Sequence, residues 1–347
     1  MVESIFMDNS SQPQVNRPLG VFASIIAGFD RVAANPSLLL PPILLDLFLW
    51  FGPRIVSPRL FESYADMLVM PAGTDQALIE AMTAAVEEFG RRLNVLVALN
   101  SFPVGVPSLM ASRLPLLNPL GSSLTYVVNE PGAVVLVALC ALVVGLAFGV
   151  IFHRLVARQM APDRRLASFG AAWTRVLLLT AFIYIGGLLL VTGVLMVASL
   201  LSLLAPVLGA TILFLSFSAV VWLVIYMLFT PHAIILYRFG LKKAILESIR
   251  TVRFNLMSTF SFVVITLMIT WLTNQVWMLP DEASWYGILA LGGHAFVCAT
   301  MLAASYAFFQ DRRVWAQRAS AILAARRNAY QQAADSDQNL ADRYEGE

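Results

Sequence analysis

From Val176 to Leu204 the chain reads VLLLTAFIYIGGLLLVTGVLMVASLLSLL, 29 consecutive residues without one charge. A helix needs about 20 predominantly apolar residues to cross the hydrocarbon core of a bilayer. A water-soluble fold of ordinary size has no interior deep enough to hide such a run. The whole sequence agrees with this reading: 59% of its 347 residues are hydrophobic and only 13% charged. Soluble domains carry roughly 45–50% apolar and about 25% charged residues. A soluble enzyme is thereby excluded. The expected fold class is all-α, an integral membrane six-helix bundle with amphipathic interfacial helices.

Six spans are expected, at 37–56, 133–153, 173–203, 208–237, 257–279 and 286–309. The first is interrupted by Pro41-Pro42 and ended by Gly52-Pro53, and proline inside a helix removes an amide donor. Ala205-Pro206 forces a tight hairpin between the third and fourth. Arg154, Arg158, Arg164 and Arg165 lie between spans two and three. Arg238, Lys242, Lys243, Arg250 and Arg253 lie between spans four and five, and Arg312, Arg313, Arg318, Arg326 and Arg327 follow span six. The opposite turns carry no basic residue, only Asp281 and Glu282. Basic loops stay in the cytoplasm, so both termini are expected there, in the plasma (inner) membrane. The N-terminus has no basic segment leading into an apolar one, so no cleavable signal is expected and the first span serves for targeting.

Three parts follow: a cytoplasmic segment with an interfacial helix at 1–36, the membrane domain at 37–310 with an extracytoplasmic insertion at 57–132, and a cytoplasmic helix with an acidic tail at 311–347. In the insertion, Leu78, Ile79, Met82, Val86, Phe89, Leu93 and Leu96 recur at helical spacing after a cap at Thr74 or Asp75. The stretch after it is apolar but broken by Pro103, Pro107, Pro115 and Pro119. It reads as a surface loop capping the bundle, with a lid or re-entrant element as the alternative. The segments ASIIAGFDRV, ASFGAAWTRV and ESIRTVRFNL, aligned on Ser24, Ser168 and Ser248, suggest three copies of an interfacial helix before a hairpin. The tail DSDQNLADRYEGE is expected to be disordered.

Asp46 is the polar residue that most needs a partner. A carboxyl group at mid-span turns inward and pairs. His294, His232 and Asn274 are the candidates, and a structural hydrogen bond is favoured over a proton or substrate site. Pro231 is expected to kink the fourth span. Gly145 and Gly149 form a GxxxG pair that permits close helix approach. Lys242, Lys243, Arg250 and Arg253 surround Leu241, Ile245, Ile249 and Val252, an arrangement suited to an anionic membrane surface.

No Walker A, HExxH or GxSxG motif occurs, and Cys140 and Cys298 have no ligand spacing around them. No catalysis, cofactor or metal is expected. The net charge of +2 gives no basis for nucleic-acid binding. The lipid bilayer is the expected partner.

The stretch FTPHAIILYRFGLKKAILESIRTVRFNLMSTFSF places Pro231, Gly240, Ala244, Ser248 and Asn255 in a characteristic order, and AANPSLLLPPIL adds Asn35 and Pro36. In this it resembles bacterial polytopic membrane domains related to the glycerophosphoryl diester phosphodiesterase membrane domain and allied domains of unknown function. The chain has no phosphodiesterase domain, so no catalysis follows from the likeness. The expected function is that of a non-enzymatic multi-pass scaffold or accessory component; a transporter or permease-like subunit for a small or lipid-like substrate is the alternative.

Overall fold

The computed structural model describes residues 20–66 and 75–345. Five helices are long and apolar enough to cross a membrane, or six if one bent pair counts as a span. The long ones are α6 (Pro131–Met160), α7 (Phe169–Leu204), α8 (Pro206–Met227) continued by α9 (Thr230–Tyr237), α11 (Leu256–Trp277) and α12 (Gly287–Glu345). This is an all-α membrane bundle. Only Ala205 separates α7 from α8, in extended conformation, which makes the expected hairpin. Those two helices bury little of themselves inside the protein. Leu188, Leu189, Phe214 and Phe217 point outward, as lipid-facing side chains do.

The first expected span is shorter than 37–56. A 3-10 turn at Pro36–Leu39 leads into α2 (Leu40–Phe51), and Gly52 ends it. Twelve α-helical residues rise about 18 Å, well short of a hydrocarbon core of about 30 Å. Upstream, α1 (Val21–Ala33) meets this unit at 98°. Pro41 and Pro42 fall in the first turn of α2, where their missing amides would be unpaired in any case. They therefore begin the helix rather than interrupt it.

Beyond α2 come β1 (Arg54–Val56), α3 (Pro58–Asp66), α4 (Gln76–Arg92), a 3-10 turn at Val95–Leu99, and α5 (Leu109–Arg113). Asp75 caps α4 by accepting the Ala77 amide at 3.1 Å; Thr74 lies outside the described residues. The amphipathic helix stops at Arg92, earlier than its pattern suggests, because Asn94 accepts the amides of Ile55 and Leu96 and turns the chain. Two short ladders interrupt the helical character. β1 pairs in parallel with β4 (Thr125–Val127), and β2 (Leu117–Asn118) pairs with β3 (Gly121–Ser122). With four prolines nearby, strand pairing satisfies amides that no helix can.

The proline-rich stretch is a surface loop only in its second part, where Leu117 and Leu120 are exposed; the part up to Met110 is not. Val104, Val106, Leu109 and Met110 are at most 1% exposed and belong to the main core. They pack there with Leu45 and Leu49 of α2 and Leu146 and Val150 of α6. Gly145 and Gly149 admit the backbone of Leu99 and Val104, whose carbonyl oxygens leave no room for a Cβ at either position. The glycine pair thus receives an inserted segment and not a second helix.

The three helices aligned by sequence begin alike, but in another register. Gly20, Ser168 and Gly240 each cap a helix with φ near −60° and ψ near 160°, at −63/158°, −59/155° and −65/161°. The fourth, eighth and twelfth residues onward are buried in each: Ser24, Gly28 and Val32; Ala172, Val176 and Thr180; Ala244, Ser248 and Val252. Ser24 therefore corresponds to Ala244 and not to Ser248. Residues 167–176 form no separate interfacial helix, since from Phe169 on they are the first turns of α7. The third unit is α10 (Leu241–Phe254).

Helix α12 continues without a break to Glu345, so the tail expected to be disordered is helical as far as it is described. An existing helix extends readily through Ala-, Gln- and Glu-rich sequence, since nucleation is the costly step.

Candidate functional site

Asp46 is wholly buried on the inner face of α2, beside Leu45 and Leu49. Its Oδ1 accepts the Ser108 hydroxyl at 2.6 Å and the Met110 amide at 2.9 Å. Ser108 in turn caps α5 by accepting the Ala111 amide at 3.0 Å. One carboxyl oxygen thereby fixes the inserted segment to the short span. Oδ2 has no hydrogen-bond partner among the described residues. The cradle asks only for an acceptor at Oδ1, which a neutral acid supplies as well as a carboxylate.

None of the three partners expected for Asp46 is hydrogen-bonded to it. His294 stands 3.5 Å from the Cys298 sulfur, one turn along α12. Asn274 is on α11 with its Oδ1 buried and unpartnered among the described residues. His232 joins a different group. Its Nε2 lies 2.8 Å from the Ser305 hydroxyl, and its ring is 4.3 Å from that of Tyr306. His153, which the sequence presents as isolated, completes this group. Its Nδ1 is 3.1 Å from the Tyr306 hydroxyl, and the two imidazole rings are 6.3 Å apart. The cluster staples α6, α9 and α12 together inside the bundle. Nothing in the spacing of residues 153, 232 and 306 could have disclosed it. Among the described residues no three His, Cys, Asp or Glu side chains gather as metal ligands.

At the α4 end, Glu282 gathers the loops. It accepts Arg92 at 2.9 Å and the Leu116 amide at 3.0 Å, and its own carbonyl takes the Trp50 indole at 3.2 Å. Arg92 also bonds Glu88 at 2.7 Å, which holds that exposed carboxylate below its ordinary range.

At the other end, the helix preceding Pro231 breaks at Leu228-Phe229. Such a break leaves backbone groups unpaired in a medium without water. The Ser248 hydroxyl repairs it from α10, donating to the Tyr226 carbonyl at 2.7 Å and accepting the Phe229 amide at 3.1 Å. Helix α10 is further clamped to α12 by Glu247 and Arg313 at 2.6 Å, with Arg313 lying over the Tyr237 ring. Its packed face is Ala244, Ser248, Thr251 and Val252. Of the apolar set read from sequence, Leu241, Ile245 and Ile249 are only half-buried. Small residues win that face because they let α10 approach closely. Lys242, Lys243, Arg250 and Arg253 are exposed as expected, with Lys243 stacked on Phe239 and Arg250 bonded to Ser320.

No protein-family model, curated protein or solved structure matches this chain.

Proposed function

We propose that the protein is a non-catalytic multi-pass scaffold or accessory component of the plasma (inner) membrane. Both termini face the cytoplasm, and α10 with the distal part of α12 forms a basic collar on that side. The observation that carries this reading is the inserted segment. Val104, Val106, Leu109 and Met110 are buried in the core of the bundle, and Asp46 ties them to α2. A bundle built around a fixed, apolar wedge is suited to holding shape. The likeness to bacterial polytopic membrane domains fits the same reading through Pro231, Gly240, Ala244, Ser248 and Asn255, which here form a break, a turn and a docked helix.

A transporter or permease-like subunit is the second reading. It is favoured by the bend between α1 and α2 and by the insertion at mid-depth, since broken elements surround the sites of many transporters.

Cysteine accessibility separates the two. Cys140 and Cys298 would be replaced and Val104→Cys introduced, then sealed vesicles exposed to an impermeant thiol reagent with and without ATP or a membrane potential. A scaffold leaves position 104 unlabelled in every condition. Labelling on energisation would favour the transporter. Cysteines near 162 and 330 should be protected in intact cells and one near 75 labelled; labelling at 162 would overturn the proposed orientation.

A further inference from the structure

A groove of about 290 Å³ opens on the outer surface of the bundle between the last turns of α6 and the start of α7. It is lined by Ile151, Arg154, Leu155, Arg158, Leu166 and Phe169. The α6 contribution falls at positions 151, 154, 155 and 158, which share one helix face. The stripe is graded: Ile151 lies deepest along α6, and Arg158 lies in its last turn, which ends at Met160. No carboxylate lines the groove. Neither Arg154, which is half-buried, nor Arg158 takes part in an ion pair or hydrogen bond among the described residues. Across the groove, α7 starts at Phe169 with no side chain capping its first amides, and such an end favours an anion nearby.

Two free guanidinium groups above an apolar floor, at the end of a membrane-spanning helix, match one kind of ligand. Guanidinium forks suit phosphate oxygens, and the floor suits hydrocarbon. A lone soluble anion would leave Ile151, Leu155 and Phe169 with nothing to cover them. We propose that this groove binds one anionic phospholipid, its phosphate between Arg154 and Arg158 and one acyl chain along Ile151 and Leu155. The groove is large enough for a headgroup and glycerol, and the chains continue into the bilayer. The site is independent of the scaffold reading, because it requires only that α6 and α7 cross the membrane.

The test uses the full-length protein in mild detergent, with native mass spectrometry counting bound lipids. Diacylphosphatidylglycerol, the zwitterionic diacylphosphatidylcholine and inorganic phosphate would be titrated separately. The wild-type protein should retain one phosphatidylglycerol in preference to phosphatidylcholine. The Arg154→Gln/Arg158→Gln variant should bind it about thirtyfold more weakly, while Arg31→Gln/Arg59→Gln, which removes two exposed cations far along the chain from the groove, should bind as wild type does. Arg154→Lys/Arg158→Lys, which keeps the charge but not the fork, should bind more tightly than the glutamine variant and less tightly than wild type, and guards against a folding defect in the glutamine variant. Equal loss in both glutamine variants would mean general surface charge and overturn the site. So would unchanged retention in Arg154→Gln/Arg158→Gln, and so would inorganic phosphate binding as tightly as the lipid.

Discussion

The carbonyl oxygen of Val104 rests directly against Gly149, so closely that α6 can carry no side chain there. The contact joins a proline-rich segment to the middle of a spanning helix, and Gly145 repeats it with Leu99 one turn away. The close approach is backbone to backbone, and no rotamer change can relieve a Cβ at either position. Gly149→Val should therefore expel the segment from the bundle and not merely shift it. The expected result is a fall in thermal unfolding temperature, with proteolysis appearing between Asn100 and Arg113. Gly170→Val, where a side chain would meet open space, should change neither.

Asp46 holds the same segment from the opposite side. Asp46→Asn keeps an acceptor oxygen for Ser108 and Met110 and should leave unfolding nearly unchanged. Asp46→Leu removes it and strands a buried hydroxyl and amide, which costs about 1–3 kcal/mol. Chemical unfolding in detergent would measure the difference. If Asn proves as damaging as Leu, the charge itself matters and a structural hydrogen bond is the wrong account.

Ser248 serves two backbone groups across the break before Pro231. Ser248→Ala should destabilise the protein by about 1–3 kcal/mol, and the loss should appear as faster hydrogen exchange at Phe229. The neighbouring Glu247→Gln, which touches the clamp to Arg313 and not the break, should leave exchange at Phe229 unaltered.

Much of this architecture is legible in the sequence, and the limits have physical causes. The long spans announce themselves because hydrocarbon depth sets a minimum apolar length, and Ala205-Pro206 marks its hairpin unaided. The first span misleads because Pro41 and Pro42 look like interruptions when they are a helix start. The stretch through Val104 and Met110 reads as a surface loop because prolines forbid a helix, yet its alternate residues are apolar enough to enter the core. Asp46 visibly needs a partner, but Ser108 is one hydroxyl among many, and only the fold brings it within 2.6 Å. The same holds for His153, Tyr306 and His232. The three similar helix starts are detectable, but matching serines set Ser24 on Ser248. The burial pattern sets it on Ala244.

The basic collar makes an electrostatic prediction. Neutralising Lys242, Lys243, Arg250 and Arg253 together should reduce attraction of the collar to anionic vesicles. Each charge is worth roughly 1 kcal/mol near such a surface, fading as salt screens it. Binding of the detergent-free, nanodisc-held protein to vesicles of graded anionic content, at low and high salt, would measure this. Binding that is insensitive to both salt and neutralisation would assign the collar to a protein partner instead.

Residues Val104 to Met110 form an internal element of the bundle, held by Asp46. Hydrogen–deuterium exchange on the full-length protein in nanodiscs tests it most directly. Amides from Val104 to Met110 should exchange far more slowly than those of the exposed helix Gln76–Arg92, and Asp46→Leu should abolish that protection while α6 stays protected. Exchange at Val104–Met110 as fast in the wild-type protein as in Gln76–Arg92 would contradict the account.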